Sequence, residues 1–253
     1  MRGILRSSVL AALASGTLVA LAPAVASASI TLGQTSLSST GDCATPSGPY
    51  TEVQSATAGS PGYAVPAGGG VITSWNHQGG NSETGQLKLK IYRPVPMSST
   101  HYTVVGQSDY VDLHPNALDG GPTRIGVQEG DVLGYTRSAT AVMHCLFVAG
   151  IGDTVQDAAG ADTAVGSTTV FSGPSGPLRI NISAVLEPDA DHDGFGDETQ
   201  DQCPTNASTQ GPCPVTPASA ATGQRAAALR KCKKKRSARA RRKCRQKAKL
   251  LPL

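Results

Sequence analysis

Leu87-Lys88-Leu89-Lys90-Ile91-Tyr92 alternates aliphatic side chains with lysines and a tyrosine. Successive side chains of a β-strand point to opposite faces, so this period of two predicts a strand with one buried and one wet face. Leu178, Ile180, Ile182 and Ala184 alternate with Arg179, Asn181 and Ser183 in the same way. Outward from these two segments, strands are predicted at 30–35, 50–54, 70–77, 102–106, 124–128, 132–136 and 140–148. Gly, Pro, Ser, Asn and Asp cluster between them, as in Pro66-Ala67-Gly68-Gly69-Gly70 and residues 116–122. Glu129-Gly130-Asp131 reads as a tight hairpin connection. No long apolar pattern of helical period interrupts the series. About ten short antiparallel strands predict a mainly β fold, an antiparallel β-sandwich of jelly-roll-like type. Residues 29–186 are long enough to bury a sizeable core as one domain.

The next segment changes chemistry. Asp189-Ala190-Asp191-His192-Asp193-Gly194-Phe195-Gly196-Asp197 sets carboxylates at relative positions 1, 3, 5 and 9, with glycine at position 6. Alternate side chains of a tight loop converge on one point, and glycine permits the sharp turn. Calcium takes six to eight oxygens at roughly 2.3–2.6 Å. The carbonyl of Phe195 would add a backbone oxygen. Residues 187–201 hold seven acids and no Lys or Arg. Their mutual repulsion calls for a bound cation; a solvated acidic linker is the competing reading. Magnesium suits the loop less well, because it prefers to keep its waters.

The loop, with the trailing Asp201-Gln202-Cys203-Pro204, resembles a thrombospondin type 3 repeat, a calcium-binding relative of the EF-hand loop. The resemblance covers residues 189–204 and implies calcium ligation by Asp189, Asp191, Asp193, Asp197 and the Phe195 carbonyl. The family's last carboxylate falls at position 12, which here is Gln200. Asp201, Gln200 and Glu198 are the candidates for the closing ligand. The family usually occurs in tandem, and one copy is present here.

The first 28 residues read as an export signal. Arg2 and Arg6 precede an apolar stretch over 9–25, and Ala26-Ser27-Ala28 fits the cleavage rule. A retained membrane anchor is the alternative. No other stretch is apolar and long enough to span a bilayer. Export implies an oxidising setting for the six cysteines. They fall into three zones, and the simplest connectivity pairs Cys43 with Cys145, Cys203 with Cys213, and Cys232 with Cys244. None has the close spacing of a zinc or redox site.

Two candidate sites lie in the β-rich region. Trp75-Asn76-His77-Gln78 ends a strand beside a Gly-rich loop. An exposed Trp with Asn and His is the chemistry of saccharide binding; the rival reading makes the only Trp part of the core. His101, His114 and His144 lie among Asp109, Asp112 and Asp119, but no nucleophile elbow or zincin motif accompanies them. Scattered surface polar residues are the better reading.

Residues 205–224 read as a Pro/Ala linker. Residues 225–253 hold fourteen of the 22 basic residues and no acid. Their composition favours helix. A single helix would separate Cys232 from Cys244 by about 18 Å, too far to bond. A helical hairpin turning near Arg236-Ser237-Ala238 would join them; disorder is the alternative. Such a unit would bind polyanions, and without aromatics it has no means of reading bases.

The sequence-level expectation is a secreted, non-enzymatic calcium-binding protein. It would adhere to cell-wall or extracellular anionic polysaccharide, with no specific nucleic-acid partner. The three-part arrangement resembles that of secreted bacterial proteins, which implies an exported location. An extracellular polysaccharide hydrolase and a purely structural surface-layer component are the alternatives.

Overall fold

The computed structural model describes residues 28–38, 43–44, 48–215 and 223–251. Residues 1–27 of the expected export signal fall outside this set, and so does part of the expected linker. In chain order the strands are β1 (Ile30–Gln34), β2 (Cys43–Ala44), β3 (Tyr50–Ala56), β4 (Gly70–Gln78), β5 (Gln86–Pro94), β6 (His101–Gln107), β7 (Val111–Asp112) and β8 (Leu118–Val127). They continue as β9 (Val132–Arg137), β10 (Val142–Met143), β11 (Leu146–Val148), β12 (Thr154–Ala159), β13 (Thr168–Val170), β14 (Leu178–Ile180) and β15 (Ile182–Glu187). Two helices follow, α1 (Gln224–Lys233) and α2 (Ala238–Lys249).

Two antiparallel sheets carry the fold. The smaller has the order β1-β15-β4-β8; the larger has β12-β3-β9-β5-β6-β13, with β7 added to β5. Leu32, Ile72, Trp75, Ile182, Ala184 and Ile125 of the first sheet pack against Leu87, Leu89, Ile91, Leu133 and Tyr135 of the second in one buried cluster. Burying each large aliphatic side chain contributes about 2 kcal/mol. The molecule is therefore mainly β, an antiparallel sandwich followed by a helical tail. The Cys43–Cys145 disulfide joins the β2–β10 ribbon to the start of β11, with Cα atoms 5.8 Å apart.

The expected wet face of β5 is not wet. Lys88 is 6% exposed and Lys90 is 0% exposed. The chain between β12 and β13 lies over this outer face at Asp162 and Thr163. Asp162 reaches both ammonium groups at 2.8 Å, and the Thr163 carbonyl accepts from Lys90. Phe171 packs edge-on against Tyr92 and Tyr102, at ring centroid distances of 5.3 and 5.4 Å. A second cluster, including Val53, Val104 and Val132, lies around these rings. The large sheet is thus buried on both faces along β5.

Four other segments differ from the sequence expectation. The segment 178–184 is not one strand: β14 pairs with β11, whereas β15 pairs with β1 and β4. Asn181 makes the break. Its amide donates to the carbonyls of Ser36, Gln78 and His144, and its oxygen accepts from Ser36 N–H. Residues 140–148 likewise split into β10 and β11 on either side of His144 and Cys145.

Glu129-Gly130-Asp131 is no hairpin. It hands the chain from one sheet to the other, because β8 pairs with β4 and β9 pairs with β3 and β5. Asp131 holds this corner by accepting from Gln128 N–H and from Arg93. Finally, 118–122 is strand rather than loop. A Cβ at Gly120 would lie 2.1 Å from the Trp75 carbonyl, so glycine is what lets β8 lie this close to β4.

Candidate metal centre

The acidic loop leaves the end of β15 and folds back onto the smaller sheet. Its anchor is Glu187, only 1% exposed. One carboxylate oxygen accepts from the backbone N–H groups of Glu198 and Thr199, both at 2.9 Å. The other accepts from the hydroxyls of Thr73 and Thr199, at 2.9 and 2.6 Å. Burial alone would push this carboxyl up, but the donors on Thr199, Thr73 and Glu198 hold it below its ordinary value. Glu187 is therefore a fastener and stands apart from the Asp189, Asp191 and Asp193 cluster. Gln200 adds a second fastening by donating to the Thr123 carbonyl at 2.8 Å. Arg124 adds a third, with its guanidinium 4.1 Å from the centre of the Phe195 ring.

Within the loop, carboxylates order the backbone. Asp189 accepts from Asp193 N–H at 3.0 Å and from Gly194 N–H at 3.1 Å. Asp193 accepts from Phe195 N–H at 2.9 Å. Asp197 accepts from Ala190 N–H through both oxygens, at 3.3 and 3.2 Å. Gly194 has φ of 84°, a conformation glycine enters without the usual Cβ penalty. The turn expected at that position is present.

The result is a convergence of oxygens. Asp189, Asp191 and Asp193, each half-buried, offer one oxygen apiece within 4.8 Å of one another and could together hold a metal ion. Both oxygens of Asp191 are buried without a hydrogen-bond partner. Asp201 is 5% exposed. One of its oxygens accepts from Cys203 N–H at 2.8 Å, and the other is buried and unpartnered. Asp197 sits in this field. Burial pushes its carboxyl up, and the charges of Asp189, Asp191 and Asp201 push it further, against the Ala190 hydrogen bonds. Buried carboxylate oxygens without donors are costly unless a cation or a proton reaches them.

The three residues expected as closing ligands differ in their hydrogen-bond partners. The Glu198 carboxylate accepts from Ser29 N–H at 2.6 Å. The Gln200 amide spans the Gly196 N–H and the Thr123 carbonyl. Asp201 alone of the three has a buried oxygen with nothing bound to it.

The Cys203–Cys213 disulfide, with Cα atoms 4.7 Å apart, closes a short loop behind the site. Gln210 of that loop donates to Asp193 at 2.8 Å. Neither Gln210 nor the fastening role of Glu187 was legible in the sequence. Glu187 lies inside the acidic run and is indistinguishable there from a ligand.

Trp75 and His77 are a correction. Trp75 is 1% exposed and His77 is 0% exposed, so no ring face is offered to a saccharide. His77 Nδ1 lies 2.7 Å from the Asn181 carbonyl, and its Nε2 lies 3.5 Å from Glu83. Asn76 is half-buried between them. The segment belongs to the core because β8 crosses one edge of β4 and β15 the other.

No protein-family model, curated protein or solved structure matches this chain.

A second chemically distinct surface lies in the tail. α1 and α2 form a hairpin stapled by Cys232–Cys244, with Cα atoms 5.4 Å apart. Ser237 caps α2 by accepting from Ala240 N–H at 3.2 Å. Cys232 and Ala248 are buried between the helices. Arg225 donates to the Lys249 carbonyl and joins the two open ends. All the remaining Lys and Arg side chains of the hairpin are exposed. The three disulfides point to an oxidising environment. No helix among the described residues is long and apolar enough to cross a membrane.

Proposed function

We propose that this is a secreted, non-enzymatic calcium-binding protein that adheres to anionic polymer at a cell surface or in an extracellular matrix. The observation that carries the calcium reading is the set of buried carboxylate oxygens on Asp191 and Asp201 that lack any donor. An all-oxygen donor set suits a hard cation, and several carboxylates in a pliant loop suit calcium better than magnesium. Asp189, Asp191, Asp193 and Asp201 would hold the ion, with Asp197 and the Phe195 carbonyl completing the shell. Calcium would supply charge neutralisation and rigidity, not catalysis.

The fastenings through Glu187, Gln200 and Arg124 support a structural role for the ion, since a loop ordered by calcium would brace the edge of the smaller sheet. The hairpin, with fourteen cations and no acid in residues 225–251, supports electrostatic docking on an anionic surface.

Co-sedimentation of the protein with isolated bacterial cell wall, in calcium and then in EDTA, tests the reading. Binding that persists in EDTA and falls at high salt is expected, because the hairpin carries the docking and the ion braces the loop. Absence of binding in both buffers would overturn the adhesion reading, and unchanged thermal stability on adding calcium would overturn the calcium reading.

A further inference from the structure

The hairpin's charge pattern is costly for its own folding. α2 carries seven cations in twelve residues and no acid. Arg241, Arg245 and Lys249 are like charges at successive i, i+4 positions, an arrangement that destabilises an isolated helix. Arg239 and Arg241 also stand in the first turn, where the helix dipole disfavours positive charge. A merely soluble tail would disperse these charges or interleave acids with them.

Here they are held in register instead. Cys244 and Ala248 turn toward α1, Ala248 being buried and Cys244 bonded to the buried Cys232. Arg241, Arg242, Arg245, Gln246 and Lys249 consequently line one hollow on another face of α2.

We infer that this face of α2 is a recognition surface for a linear phosphodiester polymer of the poly(glycerol phosphate) type. The inference rests on the hairpin part of the docking reading and is independent of calcium. Four residues at 1.5 Å rise separate Arg241, Arg245 and Lys249 by about 6 Å per step along the axis. A polymer with a short polyol between successive phosphates repeats on a similar scale. An acidic polysaccharide with one carboxylate per disaccharide spaces its charges more widely. Arginine donates bidentately to phosphate, and Gln246 offers an amide to the polyol hydroxyls. The tail has no aromatic side chain on which a base could stack, which disfavours single-stranded nucleic acid.

The test is titration of the disulfide-intact protein with poly(glycerol phosphate) over a range of salt concentrations. The triple variant R241Q/R245Q/K249Q is compared with a control triple, K233Q/K234Q/K235Q, which removes equal charge from the turn side of the hairpin. Loss of three phosphate contacts should lower the slope of log affinity against log salt by about 2. The control should lower it by less than half as much. Circular dichroism establishes that both variants keep their helices.

A C232S/C244S variant should bind more weakly and gain helix when polymer is added. Repeating the titration in EDTA should change nothing, which separates this surface from the cation loop. Equal losses in the two triples would overturn the inference. Tighter binding of single-stranded DNA or hyaluronan than of poly(glycerol phosphate) of matched charge would also overturn it.

Discussion

The ammonium of Lys90, wholly buried beneath the outer face of the larger sheet, lies 2.8 Å from the Asp162 carboxylate, which also receives Lys88 at 2.8 Å. Asp162 thereby closes a covering segment over β5 and neutralises two lysines at once. Breaking a buried ion pair from one side leaves an uncompensated charge, which costs more than the pair itself contributes. Asp162→Ala should therefore destabilise the fold by about 3 kcal/mol, less than for a fully buried partner because the aspartate is partly solvated. Urea denaturation at neutral pH measures this. A change near zero would mean that Lys90 finds water instead.

Glu52 should give the fold an alkaline sensitivity. Burial pushes its carboxyl up to about 7, against the attraction of Arg137, and the charge of Asp157 adds to the rise. The folded state then binds the proton more tightly than the unfolded state. Stability is highest below the ordinary glutamate value and falls as pH rises through about 7. Glu52→Gln keeps an acceptor for the Tyr135 hydroxyl, which donates to Glu52. The variant should flatten the stability profile between pH 5 and 8, roughly the window set by the two pKa values. A profile that still falls in the variant would assign the effect elsewhere.

Glu187 carries the opposite sign. Its carboxyl is held below its ordinary value, so its contribution is complete above that value and is lost as pH falls through the folded one. Glu187→Gln sets an amide donor against four donors and should cost about 2–3 kcal/mol. Hydrogen exchange should show the loss first at the Glu198 and Thr199 amides. Protection unchanged at both would refute the fastening role.

Asp201→Asn tests the closing ligand. In the wild type, calcium at 100 times its Kd should add about 2.7 kcal/mol of stability. Asp201→Asn should lose most of that increment and change stability little in EDTA. Gln200→Ala should lose stability in both conditions, because its bonds are to backbone groups. A full calcium response in Asp201→Asn would return the closing ligand to Glu198 or Gln200. Isothermal titration and thermal melts with and without calcium read these outcomes.

What the sequence by itself determined is local. Period-two alternation located most of the long strands, because it reflects the pleat of a single strand. The spacing of Asp189, Asp191, Asp193 and Gly194 marked the loop, since neighbouring residues set its turn. The distance that one helix would impose between Cys232 and Cys244 already argued for the hairpin.

What only the tertiary structure decided is which surfaces are covered and where each carboxylate points. Alternation separates the two faces of a strand but says nothing of what lies over them. The cover on Lys88 comes from Asp162, 74 residues away. For the same reason Trp75 turned out to be core, Asn181 a buried strand break, and Glu187 a fastener among carboxylates of the same charge. Long-range packing assigned these roles, and no local pattern in the chain encodes it.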